Sequence, residues 1–234
     1  MKKSYLLILS LLGAATSVSQ AVIILSTDFT GVTRTTTPTA TDITWTTSNL
    51  SLASNDLTIA SEYGTGSPAI RTDNNANRIG VNYNVETGGG RSWSTSLTFT
   101  TTDVLDLVDF NVDFHAISGG GADQGSATKN GDFTFRLFDG SGTGGTNLFT
   151  GLKDNLAETS GALGAEASYD LSGLADLAVG TYTLQIQVEA GNETLGNNWA
   201  MDDISFNANV VPEPSSTMLL GLGTLGLMSR RRSK

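Results

Sequence analysis

Val108-Asp109-Phe110-Asn111-Val112-Asp113-Phe114 alternates apolar and polar side chains without a break. Successive side chains of a strand point to opposite faces, so this stretch reads as a β-strand with one buried and one wetted face. The same period recurs on either side of it. Ile79, Val81, Tyr83 and Val85 alternate with polar residues or Gly80, and Trp93, Thr95, Leu97 and Phe99 alternate with Ser and Thr. Phe133–Leu137, Tyr182–Val188 and Ile204–Val210 repeat it later. Shorter candidates are Val22–Ser26, Asn49–Ala53, Asp56–Ala60 and Asn147–Leu152. Gly88-Gly89-Gly90, Gly119-Gly120-Gly121 and Asp139-Gly140 separate these segments with turn chemistry. Thr35–Thr47 reads as an extended surface segment. Ala157–Leu177 reads mainly as loop with room for one helical turn, because Gly161, Gly164 and Gly173 weaken a helix. Many strands wetted on one side, with no long helical pattern, predict an all-β antiparallel β-sandwich.

Both ends of the chain differ from this pattern. Lys2 and Lys3 precede an apolar run from Tyr5 to Ala15, and Ser19-Gln20-Ala21 fits a small-x-small cleavage site. Residues 1–21 therefore read as a signal helix cut after Ala21, which implies the Sec translocon as a partner. The other end reads Val211-Pro212-Glu213-Pro214, then an apolar run from Thr217 to Met228, then Arg230-Arg231-Arg232. At ~1.5 Å per residue those 12 residues make a helix of about 18 Å, short against roughly 30 Å of hydrocarbon. Terminal arginines favour the cytoplasmic side. The chain divides into 1–21, a sandwich domain over 22–210, and a sorting segment over 211–234.

The order Pro212-Glu213-Pro214, apolar helix, Arg230–Arg232 resembles the PEP-CTERM sorting signal of exported bacterial proteins. The resemblance implies processing by an exosortase, a transpeptidase-like membrane enzyme. It also implies transient membrane anchoring through the C-terminal helix, delivery to the cell surface or matrix, and an association with exopolysaccharide.

Between the two signals there is no cysteine, which excludes thiol catalysis and cysteine metal sites. Residues 22–210 hold 22 acidic and 7 basic residues, a net charge of −15. Nucleic acid is excluded as a partner, since phosphate binding needs clustered Lys and Arg. Dispersed carboxylates suit solubility and divalent cations.

Thr27-Asp28-Phe29-Thr30-Gly31 near the start and Asn198-Trp199-Ala200-Met201-Asp202-Asp203-Ile204-Ser205-Phe206 near the end resemble jelly-roll carbohydrate-binding and galactose-binding-like domains. The resemblance implies a jelly-roll in which the first and last strands pair. It also implies a structural calcium held by Asp28 with Asp202 or Asp203. Strand phase puts Asp202 on the same side as Ile204 and Phe206, which makes it the first choice of the two.

No other constellation carries chemistry. His115 is the only histidine and no Gly-x-Ser-x-Gly elbow occurs, so it reads as a polar residue at a strand end. Asp109 and Asp113 lie about 13 Å apart along one strand, beyond the roughly 5–9.5 Å of a glycosidase pair. Asp73-Asn74-Asn75-Ala76-Asn77 lacks the glycine and glutamate of a calcium loop. Trp45, Trp93 and Trp199 read as core. No catalytic residue and no ligand-binding residue is assigned. The resulting expectation is a non-catalytic surface or matrix protein with a possible carbohydrate face; the alternatives are a polysaccharide-active enzyme and a structural adhesin without small ligand.

Overall fold

The computed structural model describes residues 21–30, 43–52, 57–61, 68–71, 78–81, 92–117, 130–157, 165–190 and 198–212. The signal segment, Asp73–Asn77, the triple-glycine turns at 88–90 and 119–121, and Glu213, Pro214 and Arg230–Arg232 lie outside these residues. Among the described residues no helix is long and apolar enough to cross a membrane.

The strands are β1 (Val22–Thr27), β2 (Thr46–Thr47), β3 (Leu50–Ser51), β4 (Leu57–Ser61), β5 (Pro68–Arg71), β6 (Arg78–Val81) and β7 (Trp93–Thr101). They continue as β8 (Leu105–Ile117), β9 (Asn130–Asp139), β10 (Thr146–Ala157), β11 (Ala165–Asp170), β12 (Thr181–Ala190) and β13 (Asn198–Val210). One sheet runs β11-β8-β13-β1-β2, with β6 also on β13 and β5 on β6. The other runs β10-β9-β12-β7-β3, with β4 also on β7. Every pairing is antiparallel. The first and last strands are neighbours, with Ser26 opposite Ser205 and Thr27 opposite Ile204.

The period-two pattern builds the core. Phe110, Val112 and Phe114 of β8 and Phe133, Phe135 and Leu137 of β9 are all fully buried. Phe110 stacks on Phe135 at 4.3 Å between centroids, and Phe114 on Phe133 at 3.6 Å. Phe206 meets Phe110 and Phe99 edge-on, and Trp199 meets Phe133 edge-on. These rings join the two sheets, and offset or edge contacts between rings add to the burial energy. Tyr169 on β11 adds a polar bridge, its hydroxyl donating to the Phe133 carbonyl at 2.9 Å. Its ring lies so close to β10 that a Cβ on Gly151 would sit 2.7 Å from it, which requires glycine there.

Three local readings change. Residues 165–170, expected within a loop, form β11, with Ala167 and Tyr169 inside and Glu166, Ser168 and Asp170 outside. Alanine fills an inward position too small to register as a hydrophobic beat. The short candidate Asn147–Leu152 is part of a strand twice as long, β10. Val108, expected inside, lies at a register shift opposite Asn207/Ala208 and is only half-buried.

Replacing Phe110 with Ala removes a ring that touches both sheets. Such truncations cost about 3–5 kcal/mol. Urea unfolding of Phe110→Ala should show a lower midpoint with an unchanged slope.

Candidate functional site

The outer face of the β11-β8-β13 sheet is built from the polar half of the alternation. Asp106, Asp109, Asn111 and Asp113 on β8 face outward beside Asn209, Asn207, Ser205 and Asp202 on β13. Glu166, Ser168 and Asp170 on β11 extend the same rows opposite Asp113, Asn111 and Asp109. Asparagine amides offset part of this charge. Asp109 Oδ1 accepts from Asn111 at 2.7 Å and from Asn207 at 2.6 Å, and Asp106 accepts from Asn209 at 3.1 Å.

At one point the β13 strand breaks phase. Asp202 lies opposite Asp113 and Ser205 opposite Asn111, so Asp203 and Ile204 together face the single residue Val112. This is a β-bulge, and Asp203 occupies a left-handed conformation with φ 43°. Asp tolerates that conformation better than most residues. The extra residue reverses the expected orientation: Ile204 and Phe206 point in, whereas Asp202 points out with Asp113. Asp202 Oδ2 lies 3.5 Å from Arg78 Nε, and both side chains are largely buried.

Asp202, Asp113 and His115 therefore share one partly buried patch with Arg78. Burial pushes the Asp202 carboxyl up, and the Arg78 charge only partly opposes that. Burial also pushes Asp113 up, with the negative charges of Asp203 and Glu166 adding to it. His115, read as a polar residue at a strand end, is 3% exposed and lies inside a strand that continues to Ile117.

Asp28 and Asp203 come together elsewhere. They line a cavity of about 400 Å3 with Ser26, Thr27, Thr46, Ile204 and Ser205. Asp28 Oδ1 accepts the Thr30 N–H at 3.0 Å, and this hydrogen bond lowers the carboxyl pKa. Next to it, buried Phe29 holds φ 51°, a strained position for a bulky residue, fixed by the core and by an edge contact to Trp45. The cavity offers hard oxygen donors from two carboxylates and several hydroxyls. Asp202 is engaged with Arg78 instead. Among the described residues no three His, Asp or Glu side chains converge as a metal-ligand group.

The outer face of the other sheet has a different chemistry. Thr134 and Arg136 on β9, Gln185 and Gln187 on β12, and Ser94, Ser96 and Thr98 on β7 form adjoining rows. Arg136 Nη1 donates to Gln187 Oε1 at 2.7 Å and to Gln185 Oε1 at 3.2 Å. Thr98 and Thr183 hydroxyls share a hydrogen bond at 3.0 Å, and the Gly142 N–H donates to Thr183 Oγ1 at 2.7 Å. Gly142 has φ 78°, which lets the β9–β10 turn lie across this face. Sequence reasoning missed this face because no single residue in it is unusual; only the register assembles it.

The tryptophans are interior. Trp93 and Trp199 are fully buried, and Trp45 packs against the core half-buried. The indole N–H groups of Trp93 and Trp199 find no acceptor among the described residues.

A family model for the PEP-CTERM protein-sorting motif matches residues 210–232. The chain thus carries a signal for export, transient membrane anchoring and exosortase processing. No curated protein matches the sequence. Among solved structures, the chain is similar to TmCBM61 in complex with β-1,4-galactotriose, at 11% identity over 64% of this chain and 86% of that one, TM-score 0.39. It is similar to a family 11 carbohydrate-binding module from Clostridium thermocellum with a mixed-linked tetrasaccharide, at 14% identity over 64% and 88%, TM-score 0.37. An arabinose-bound MgGH51 α-L-arabinofuranosidase is similar at 14% identity over 79% of this chain and 27% of that one, TM-score 0.42. With TM-scores below 0.5, these likenesses assign this chain neither ligand nor activity.

The acidic patch makes a pH prediction. Asp113 holds its proton to a higher pH when folded, so above its ordinary value of 3.8 the unfolded chain binds fewer protons and stability falls as pH rises. Asp113→Asn should therefore raise the melting temperature at pH 7. The gain should vanish below about pH 3.8, where both states are protonated. Thermal melts of the two proteins across pH check this.

Proposed function

We propose that the mature chain, cut after Ala21, is a non-catalytic protein of the cell surface or extracellular matrix that contacts polysaccharide through one face of a jelly-roll-like sandwich. The sorting signal supports the destination. The carrying observation for the contact is the hydroxyl–amide face of β7, β9 and β12, with Arg136 held by Gln185 and Gln187. Such a face offers paired donors and acceptors at the ~4.8 Å strand repeat, with a pre-oriented guanidinium among them. It would grip a neutral or anionic glycan by hydrogen bonds alone, since the described aromatic rings lie in or against the core. Exopolysaccharide is the ligand class that fits both the signal and the face.

The enzyme reading is weaker. Asp113 and Asp202 lie opposite each other on adjacent strands with raised pKa values, but Asp202 is tied to Arg78. Of the other two carboxylates on β8, Asp109 is occupied by two asparagine amides and Asp106 by one. A structural adhesin without small ligand is favoured by the interior position of Trp93 and Trp199.

A glycan array with the mature chain and its Arg136→Ala variant tests the binding face. Retention of a polysaccharide by the wild type, weakened about tenfold or more in the variant at equal melting temperature, is expected; a lost charge-assisted hydrogen bond is worth about 1.5–3 kcal/mol. A wild type that retains no glycan leaves the ligand-free structural role.

Calcium is a second part of the proposal, with Asp28 and Asp203 rather than Asp202 as its carboxylate ligands. A cation bound only by the folded chain stabilises it by about 2.7 kcal/mol at a hundredfold excess over Kd. Melting in millimolar Ca2+ should exceed melting in chelator, and Asp203→Asn should reduce the difference. Identical midpoints would leave Asp28 and Asp203 as ordinary solvated carboxylates.

A further inference from the structure

The folded sandwich and the sorting signal have no spacer between them. The motif match begins at Val210, which is also the last residue of β13, an interior strand flanked by β8 and β1. The next residue is still part of the fold, for the Val211 N–H donates to the Val104 carbonyl at 2.9 Å. Beside it, Leu105 and Leu177 exchange both backbone hydrogen bonds, at 2.9 and 2.8 Å. Val211 makes the last backbone hydrogen bond along the described residues. From there to Thr217, where the apolar run begins, are five residues, which span at most about 18 Å.

Antiparallel pairing puts the start of the domain at this same end, because Val22 lies opposite Ala208. Strands β8 and β1 flank β13 at ~4.8 Å on either side, so Val104 and Val22 lie on opposite sides of the exit point. Three of the four large apolar side chains exposed among the described residues lie at this end: Val22 at 40%, Ile23 at 50% and Val179 at 58%. Val179 directly follows Ala178, which with Leu148, Leu174, Leu177 and Tyr182 and the carboxylates Asp139 and Asp176 lines an open groove of about 300 Å3. The surrounding loops, 101–106, 139–146 and 170–181, contain no Lys or Arg.

We propose that this exit end, centred on Val179 and the Leu174–Leu177 groove, is the surface by which the sandwich docks on the exosortase-type enzyme that processes its own C-terminus. The inference rests on the reading of residues 210–232 as a processed signal. An enzyme acting on residues 212–216 works within about 18 Å of Val211, and so beside these loops. Exposed aliphatic side chains beside an acid-rimmed groove fit an apolar residue flanked by basic ones. The missing cations disfavour an anionic bilayer as the partner, since carboxylates near such a surface are repelled.

The test follows release of the C-terminal segment in the native host by pulse-chase and intact mass. Val179→Asp combined with Asp176→Lys should slow release about tenfold without changing the melting temperature, as both side chains lie in solvent. A ten-residue Gly/Ser insertion between Val211 and Pro212 should make release indifferent to that pair of substitutions, because the end no longer has to meet the enzyme. Release of the doubly substituted, linker-free chain at the wild-type rate would overturn the proposal. So would binding of the mature wild type to anionic vesicles that the same substitutions abolish, which would assign the end to lipid. A wild-type chain that keeps its C-terminal segment would instead overturn the processing reading itself.

Discussion

The pairing of β13 with β8 on one side and β1 on the other is the constraint on which the rest of the molecule depends. It joins the last strand to the first, so that closure requires nearly the whole chain to be in place. It aligns Phe206 with the Phe110–Phe135 stack and Trp199 with Phe133, which sets the spacing of the two sheets. Non-local pairing of this kind closes a long loop before it is repaid by contacts. The Asp203 bulge is a cost carried within the same strand. It turns the Asp202 carboxylate out of the core and toward Arg78, where a charged partner offsets part of its burial.

The two outer faces then separate chemically without any change of architecture. The β8–β11–β13 face gathers carboxylates, moderated by asparagine amides and by Arg78. The β7–β9–β12 face gathers hydroxyls and amides around Arg136. An exported protein with an acidic surface stays soluble through the first, while the second offers hydrogen bonds at a regular strand repeat without much charge. The exit end adds a third surface, apolar and acidic, next to the start of the sorting signal.

Much of this was legible in the sequence. Alternation identified β7, β8, β9, β12 and β13 and most of their inward residues, because large apolar side chains mark the buried face unambiguously. The signal at residues 210–232 was legible because its chemistry is contiguous. What was not legible depends on register. Asp202 reads as inward until the bulge is known, and nothing in Asp202-Asp203-Ile204 announces that Asp203 adopts φ 43°. Strand β11 was hidden because Ala167 and Gly-flanked polar residues give no hydrophobic beat. His115 read as a strand-end residue because the alternation stops at Phe114, whereas buried Ala116 and Ile117 continue β8 past it. Arg136, Gln185 and Gln187 are unremarkable in sequence and become a face only when β9 pairs with β12.

If β13 is the element that closes the fold, its amides should open only when the whole domain does. Native-state hydrogen exchange read by mass spectrometry on peptides covering 199–211 measures this directly. These amides, including that of Val211, are expected to exchange in the slowest class, later than those of the edge strand β10 at 146–157. Exchange of the 199–211 peptides at or before the β10 peptides would contradict that role, and would mean that the sandwich is held together elsewhere.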